Sequence, residues 1–285
     1  MDKFHDNANK YVEEIVLKVR DLDKSHSFYK NIMGFKVLKK EDDKIVFSID
    51  GSKPIVTLVS FDNIIKKTPK RTGLYHYALL LPNRYYLGLF IKNLQEKSYP
   101  ITGASNHGVS EAIYLKDPDN NGIEVYSDFD SSEWNQENDQ IKMVTKPLDY
   151  ETLVAKTDNN KWEEMPLETL IGHIHLHVDD LLKAKEFYVE GLGLNVVQKL
   201  RDSALFLSTG GYHHHIALNT WNGVGAEPLP DNSAGMKYFS LNFPNDKSRI
   251  KSIERLEQMG YEIIKKQNDI YIKDPAQNVI KLVVD

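Results

Sequence analysis

The chain contains two copies of one long sequence pattern, and this internal repeat constrains its fold more than any other feature. Residues 19–37 reappear as residues 178–196, and both segments share the spacing Val-X-Asp-Leu and a later Phe-Tyr pair. Residues 114–124 reappear as 271–281 around a common Lys-Asp-Pro sequence. The repeats divide the chain into four modules, and each module is expected to be one supersecondary unit that packs against its neighbours.

The modules occupy approximately residues 11–62, 72–128, 169–221 and 234–285. The residue pattern of each module predicts secondary-structure elements in the order β-α-β-β-β. An alternating strand opens each module, Asp21 and Asp180 are placed to cap helices, and Gly34 and Gly193 to end them. The predicted fold class is therefore α+β, with one domain over 11–128 and another over 169–285. Residues 129–168 are polar and predict a linker with a short helix near 150–156, and residues 222–233 predict a loop.

Composition excludes several classes of function. The chain has no cysteine, so disulfides, thiolate catalysis and cysteine-held metals are excluded. The formal net charge is -5 and no long basic run is present, which argues against nucleic acid as a partner. No apolar run approaches the roughly 18–20 residues that span a membrane. The N-terminus has no apolar core typical of a signal peptide, so we expect a cytoplasmic protein with no membrane partner.

The two copies differ where metal ligands would lie. His76 and Glu124 in the first half correspond to Tyr238 and Lys281 in the second half. Protonated lysine repels a divalent cation and is a poor ligand. The duplicated scaffold therefore predicts a single metal site, held by imidazole and carboxylate because cysteine is absent.

Strand periodicity indicates which of these side chains can converge. In residues 172–178 the three histidines, His173, His175 and His177, alternate with apolar residues and share one face. His76 and Glu124 each lie in a separate predicted strand. The apolar faces are expected to pack on helices, and the histidine face to look into the concave side of a sheet.

Four phrases in the chain resemble the vicinal oxygen chelate superfamily, which includes glyoxalases, bleomycin-resistance proteins and extradiol dioxygenases. They are GHIHLHV, GGYHHHIALNTW, GLYHYALLLP and HGVSEAIYLKDPDNNGIEVY. Together they are similar to members of the catechol-2,3-dioxygenase type. The resemblance covers all four modules. It implies two cup-shaped mixed sheets of βαβββ modules, a mononuclear Fe(II) site, and a catechol and O2 as substrates. Mn(II) accepts the same ligands.

The resemblance implies His76, Glu124 and His173 as the metal ligands, because they occupy the superfamily's ligand positions. Module one offers only Glu14 at the position of His173, and module four offers no ligand. Modules two and three hold the complete set between them. We therefore predict that the working cup joins module two to module three, although the more familiar pairing joins modules three and four.

Further roles follow from the same resemblance. His215 corresponds to the superfamily's acid–base histidine, and strand periodicity places it with His213 on one face and His214 on the other. Tyr114, ten residues before Glu124, corresponds to the tyrosine that orients the substrate oxygen, and His107 lies near another site histidine. The sequence leaves open whether His175, His177 or His213 line the site. It also leaves open the oligomeric state, for which a homo-oligomer is one alternative.

Two other functions fit the same scaffold. A glyoxalase or thiol transferase with Ni(II) or Zn(II) would need a fourth protein ligand, for which no clear candidate exists. A binding protein that sequesters an aromatic or drug molecule would need no metal, and the second half shows that the scaffold tolerates loss of the ligands. The leading hypothesis is an extradiol dioxygenase of aromatic catabolism.

Overall fold

Each module adopts the predicted order of one strand, one helix and three strands in the computed structural model, which describes residues 3–137 and 140–284. The first two modules contain β1 (Tyr11–Lys18), α1 (Leu22–Ser27), β2 (Lys36–Lys40), β3 (Lys44–Ser48), β4 (Pro54–Val59), β5 (Gly73–Leu80), α2 (Arg84–Glu96), β6 (Gly103–Asn106), β7 (Ser110–Lys116) and β8 (Gly122–Asp128). The connecting segment contains a 3-10 turn (Ser131–Glu133), β9 (Gln136–Glu137), β10 (Gln140–Ile141) and α3 (Tyr150–Ala155).

The last two modules repeat this order. They contain β11 (Leu170–His177), α4 (Leu181–Lys185), β12 (Asn195–Leu200), β13 (Ala204–Ser208), β14 (Ile216–Asn219), β15 (Gly235–Asn242), α5 (Asp246–Gln258), β16 (Ile263–Lys266), β17 (Asp269–Lys273) and β18 (Val279–Val283). The predicted short helix in the connecting segment is confirmed as α3.

The helix ends follow the predicted capping chemistry. The Asp21 side chain accepts a hydrogen bond from the Lys24 backbone N–H at 2.9 Å, which satisfies one of the free donors at the start of α1. Asp180 caps α4 in the same way. Both helices continue as π-helical segments, Phe28–Met33 and Glu186–Gly191. Gly34 ends the first of these with a φ of 86°, a left-handed conformation that glycine adopts without steric cost.

The described strands form two eight-stranded mixed sheets that combine modules from opposite halves of the chain. One sheet has the order β16-β17-β18-β15-β1-β4-β3-β2 and is called the 1–4 sheet after its modules. The other has the order β12-β13-β14-β11-β5-β8-β7-β6 and is called the 2–3 sheet. In each sheet an antiparallel pair of opening strands, β1 with β15 or β5 with β11, joins the two modules. The predicted pairing of modules two and three is confirmed.

The core lies on the helix-facing side of each sheet. In β11, Ile174 and Leu176 are fully buried in the main apolar cluster, while the three histidines that alternate with them face the other way. Burying such a side chain contributes roughly 1.5–3 kcal/mol, so the apolar face fixes which side of the strand meets the helices. The opposite face is then free to carry polar groups.

Modules that are consecutive in sequence remain in contact through buried side chains. The Tyr29 hydroxyl of module one donates to Asp117 in the Asp-Pro turn of module two, at 3.1 Å. The Tyr188 hydroxyl of module three donates to Asp274 in the turn of module four, at 2.9 Å. The proposed division at 11–128 and 169–285 therefore describes sequence repeats, whereas each sheet draws on both. None of the described helices is long and apolar enough to cross a membrane.

Candidate metal centre

Three neighbouring strands at the middle of the 2–3 sheet carry the predicted ligands. His173 on β11 pairs with Ala78 on β5, and Ala78 pairs in turn with Glu124 on β8. His76 lies two residues before Ala78, on the same face of β5. Ala78 is fully buried and has only a methyl group, so the two longer side chains on either side can converge above it.

The three predicted ligand side chains meet at one point on the concave face of this sheet. His76 Nε2 lies 3.0 Å and His173 Nε2 lies 3.1 Å from Glu124 Oε2. The ligand atoms all lie within 4.8 Å of one another, and all three residues are buried. Among residues 3–137 and 140–284, these three residues form the one group of His, Asp and Glu side chains whose spacing could hold a metal ion.

The donor set fits a divalent metal. Two ligand atoms that each lie about 2.1 Å from one ion, at a right angle, are about 3.0 Å apart. Both observed nitrogen–oxygen distances agree with that value. His76 Nε2 is buried and makes no hydrogen bond with any described residue, although it lies close to the carboxylate. Two histidines and one carboxylate, with remaining positions open, are typical of non-haem Fe(II) oxygenases.

The protonation states also suit metal binding. Burial by itself would raise the pKa of Glu124, but the electrostatic effect and hydrogen bond of His173, together with the nearby His76, outweigh it and hold the pKa well below its usual range. Burial lowers the pKa of His173 to about 4, even though Glu124 opposes that shift. Near neutral pH the site thus offers an ionised carboxylate and a neutral His173 imidazole, which are the ligand forms that metals require.

Tyr114 and His107, both predicted as site residues, lie together beside the proposed ligands. Tyr114 pairs with Glu124 in the β7–β8 ladder, and its ring centroid is 5.6 Å from that of His76. The Tyr114 hydroxyl lies 2.8 Å from His107 Nε2, while His107 Nδ1 donates to the Val144 carbonyl at 2.8 Å. Burial, followed by the charge of Glu124, raises the pKa of Tyr114 well above its usual value, so its hydroxyl keeps its proton.

The three successive histidines are placed differently from the sequence-based expectation. β14 begins only at Ile216, so residues 213–215 lie before the strand in an irregular segment. His214 packs its ring on His173 with a centroid distance of 4.0 Å. His215 instead donates from Nε2 to the Phe4 carbonyl at 2.9 Å and packs against Tyr212. These residues therefore precede the strand in which they were predicted to lie, and of the three rings that of His214 is nearest to His173.

His213 links His214 to a carboxylate. Its Nε2 lies 2.9 Å from Asp128 Oδ1, and its Nδ1 lies 2.8 Å from His214 Nδ1. Asp128 can only accept, so His213 carries its proton on Nε2 and accepts at Nδ1 when neutral. His214 must then donate from Nδ1, which leaves its Nε2 as the basic nitrogen. Sequence reasoning did not find Asp128, because nothing in its local sequence marks it.

His175 and His177 are held by a shared amide. Asn219 Nδ2 lies 2.8 Å from His175 Nε2, and His177 Nδ1 lies 2.7 Å from Asn219 Oδ1. Burial lowers the pKa of His175 well below its usual value, with the nearby histidines adding to the shift. Both rings belong to the concave face, and His177 also borders a cavity that reaches His76.

A protein-family model matches both halves of the chain. The model is the Glyoxalase/Bleomycin resistance protein/Dioxygenase superfamily, and it matches residues 11–125 and 170–282. These two ranges correspond to the first and second pairs of modules.

Two curated proteins are similar in sequence. Catechol-2,3-dioxygenase of Bacillus subtilis (strain 168) is 41% identical over 264 residues, which cover 91% of this chain and 92% of that protein. Biphenyl-2,3-diol 1,2-dioxygenase 3 of Rhodococcus globerulus is 25% identical over 126 residues, covering 42% of this chain and 66% of that protein.

Solved structures share the fold at low sequence identity. Glyoxalase I from Zea mays has a TM-score of 0.60 and 18% identity, covering 96% of this chain and 92% of that chain. The cppA protein from Streptococcus pneumoniae TIGR4 has a TM-score of 0.57 and 12% identity, covering 97% and 100%. These likenesses show the vicinal oxygen chelate fold.

Proposed function

This chain belongs to the glyoxalase/bleomycin resistance protein/dioxygenase superfamily, and from that premise we propose that it is an extradiol ring-cleaving dioxygenase. The proposed substrates are catechol or a substituted catechol and O2, and the proposed cofactor is a mononuclear Fe(II), for which Mn(II) is the alternative. The observation that supports it best is the buried His76, Glu124 and His173 triad. In addition, a relative that is 41% identical to this chain is named a catechol-2,3-dioxygenase.

The three ligands would hold the metal and leave its remaining positions to the substrates. When bound, the iron would supply Lewis acidity and a path for electrons between catechol and dioxygen. Glu124 would contribute a negative charge that partly neutralises the ion, and the two imidazoles would contribute neutral nitrogens. The strands that carry them belong to one sheet, so the site is held rigidly before substrate arrives.

His214 is the proposed acid–base group, and we move this role to it from His215. Its Nε2 is the basic nitrogen in the Asp128–His213–His214 chain. There it can accept a proton from a catechol hydroxyl and return it later in ring cleavage, a kind of transfer worth about 10²–10⁴ in rate. His215 lacks this freedom, because its Nε2 already donates to the Phe4 carbonyl.

Tyr114 and His107 are proposed to orient the substrate. Because His107 Nδ1 donates to a carbonyl, its Nε2 is an acceptor for the Tyr114 hydroxyl when the imidazole is neutral. The tyrosine oxygen is thereby fixed beside Glu124 and can accept a hydrogen bond from a catechol hydroxyl. The pair would thus position the diol without exchanging a proton of its own.

The test combines metal loading with catalysis. Protein loaded anaerobically with Fe(II) is mixed with catechol and air, and O2 uptake and the yellow ring-opened product are followed. Glu124→Gln should lose both iron and product formation. Lys281→Met, at the matching position of the 1–4 sheet, is the control and should keep both. Stoichiometric iron with no O2 uptake on catechol or any substituted catechol would contradict the proposal.

A glyoxalase-type enzyme and a metal-free binding protein are outcomes of the same experiment. Among the described residues, the ligand set has three members, whereas the glyoxalase alternative calls for a fourth. Protein purified without chelators that contains no metal, and whose His76→Ala variant still binds an aromatic ligand, would favour the binding protein.

A further inference from the structure

A cavity of about 610 Å³ opens beside the 2–3 sheet and reaches His76, one of the three proposed metal ligands. His76 and Tyr114 are part of its wall, as is His177. It therefore offers a route to the metal and a space for the part of a substrate that projects from the diol. The chemistry of its remaining wall should decide which substituents fit there.

That wall is basic. Lys67, Lys70, Arg71 and Lys116 line the cavity, and none of the described residues that line it is Asp or Glu. The chain as a whole is acidic, with 41 carboxylate residues against 36 Lys and Arg. The cavity wall therefore carries a net positive charge, whereas the chain as a whole is negatively charged. Such a wall favours an anionic ligand over a neutral one.

The basic segment between β4 and β5 is held in place by the other half of the chain. Ile65 forms a bridge with Ser233, and Asn222 Nδ2 donates to the Arg71 carbonyl at 2.7 Å. Arg71 itself forms an ion pair with Glu227, so its charge is largely compensated. Lys67 and Lys70 lie between Ile65 and Arg71 and so belong to an anchored segment, and Lys116 is the last residue of β7.

Lys67 is the best placed of the cations. Its Nζ donates to the Leu74 carbonyl at 3.0 Å, which uses one of its three N–H groups. Leu74 precedes His76 by two residues on β5, with an irregularity of the strand between them. Two strand residues span at most about 7 Å, a distance that a ring with a short acidic side chain can bridge. Lys67 has no ion pair within the described part of the chain that would compensate its charge.

Asp117 attracts Lys67 electrostatically but forms no ion pair with it. Both Asp117 oxygens accept hydrogen bonds from other groups. Oδ1 accepts from the backbone N–H groups of Asp119 and Asn121, and Oδ2 accepts from the Tyr29 hydroxyl and the Asn121 amide. The Lys67 ammonium keeps two donors that are not used by that carboxyl.

We propose that this cavity contains a carboxylate subsite, with Lys67 as its main contact, and that the preferred substrates are catechols with a carboxylate on the ring or on a short side chain. The inference rests on the proposed dioxygenase function and specifies the substrate class. Lys70 and Lys116 would add to the attraction from the cavity wall, whereas the diol would reach the metal beside His76.

The test compares charged and neutral catechols in binding and in catalysis. Anaerobic calorimetry and steady-state kinetics of the iron-loaded protein would use 3,4-dihydroxybenzoate, 3,4-dihydroxyphenylacetate and catechol. Lys67→Met should weaken binding and lower kcat/KM for the better carboxylated substrate by about 10- to 100-fold, the usual value of a charge-assisted hydrogen bond. It should change the values for catechol by less than threefold. Lys66→Met, an exposed neighbour outside the cavity wall, is the matched control.

The two proposals fail in different ways. If catechol is cleaved but neither carboxylated compound binds more tightly than catechol, the subsite is wrong and the dioxygenase function stands. An equal loss for charged and neutral substrates in Lys67→Met also overturns the subsite. If no catechol is cleaved but the carboxylated compounds bind more tightly through Lys67, the subsite stands and the dioxygenase function falls.

Discussion

At the scale of single residues, the position of the proton on each histidine ring follows from its hydrogen-bond partner, because a carboxylate or carbonyl oxygen can only accept a hydrogen bond. Asp128 orients His213, and His213 orients His214, so one carboxylate sets which nitrogen of His214 is the proposed proton acceptor. His215 is adjacent in sequence but engages a backbone carbonyl through the same kind of nitrogen. Neighbouring histidines of identical chemistry thus acquire different roles from their hydrogen-bond partners.

The first prediction separates these two histidines. His214→Gln should lower kcat by about 10²–10⁴ while iron content is unchanged, because a proton acceptor is lost and no ligand is. His215→Gln should lower kcat far less and act mainly on stability, because it removes a buried contact to the N-terminal segment. Single-turnover kinetics with metal analysis measures both, and a larger loss of kcat in His215→Gln would restore the original assignment.

The second prediction concerns pH. Burial lowers the pKa of Lys67 to about 8, Lys116 acts in the same direction, and Asp117 opposes them. Lys67 is therefore charged below pH 8 and loses its charge as pH rises through 8, earlier than an exposed lysine. The preference for carboxylated over neutral catechols should decline above pH 8. The ratio of the two kcat/KM values across pH 6.5–9.5 measures it, and a ratio that stays constant would exclude Lys67 as the source.

At the scale of elements, both sheets present the same row of three positions across their central strands. In the 2–3 sheet the row is His173, Ala78 and Glu124. In the 1–4 sheet it is Glu14, Ser240 and Lys281. There Glu14 accepts from Thr57 at 2.6 Å and Lys281 pairs with Asp269 at 2.9 Å. The duplicated geometry persists, and only the side chains decide that one row can hold a metal.

The third prediction tests the middle of the row. Ala78→Val should lower metal affinity at least tenfold, because the added methyl groups occupy the space over which His173 and Glu124 converge. Overpacking of this kind costs about 1–3 kcal/mol. Ser240→Val, at the equivalent position of the 1–4 sheet, should leave metal affinity unchanged. Calorimetric titration with Mn(II) or Fe(II) checks both variants, and equal affinities in the two would remove the steric argument.

At the scale of the whole molecule, the proposed metal site connects the two halves of the sequence. His76 and Glu124 come from the first half and His173 from the second. The β5–β11 pair that brings them together is one of two antiparallel junctions between halves. A bound metal would therefore stabilise the junction itself as well as the local site.

The fourth prediction follows from this connection. A divalent metal at a hundredfold excess over its Kd should raise Tm by about 5–10 °C, because binding to the folded state alone contributes about 2.7 kcal/mol. His173→Ala should abolish the shift. His177→Asn, on the same strand but outside the triad, should keep it. Differential scanning calorimetry with and without chelator gives the result, and an unchanged Tm for the native chain would contradict a site that joins the halves.

The sequence by itself predicted the modules, the caps at Asp21 and Asp180 and a single metal site, and its resemblance to the superfamily implied the three ligands and with them the pairing of modules two and three. Repeats, strand period and ligand chemistry are local properties or simple comparisons between copies, so they can be read without coordinates. Only the tertiary structure decided that His214 adjoins the ligands, because residues 213–215 precede the strand and lack its periodicity. It alone also placed Lys67 in one cavity with His76, since that contact depends on how a loop folds back onto β5.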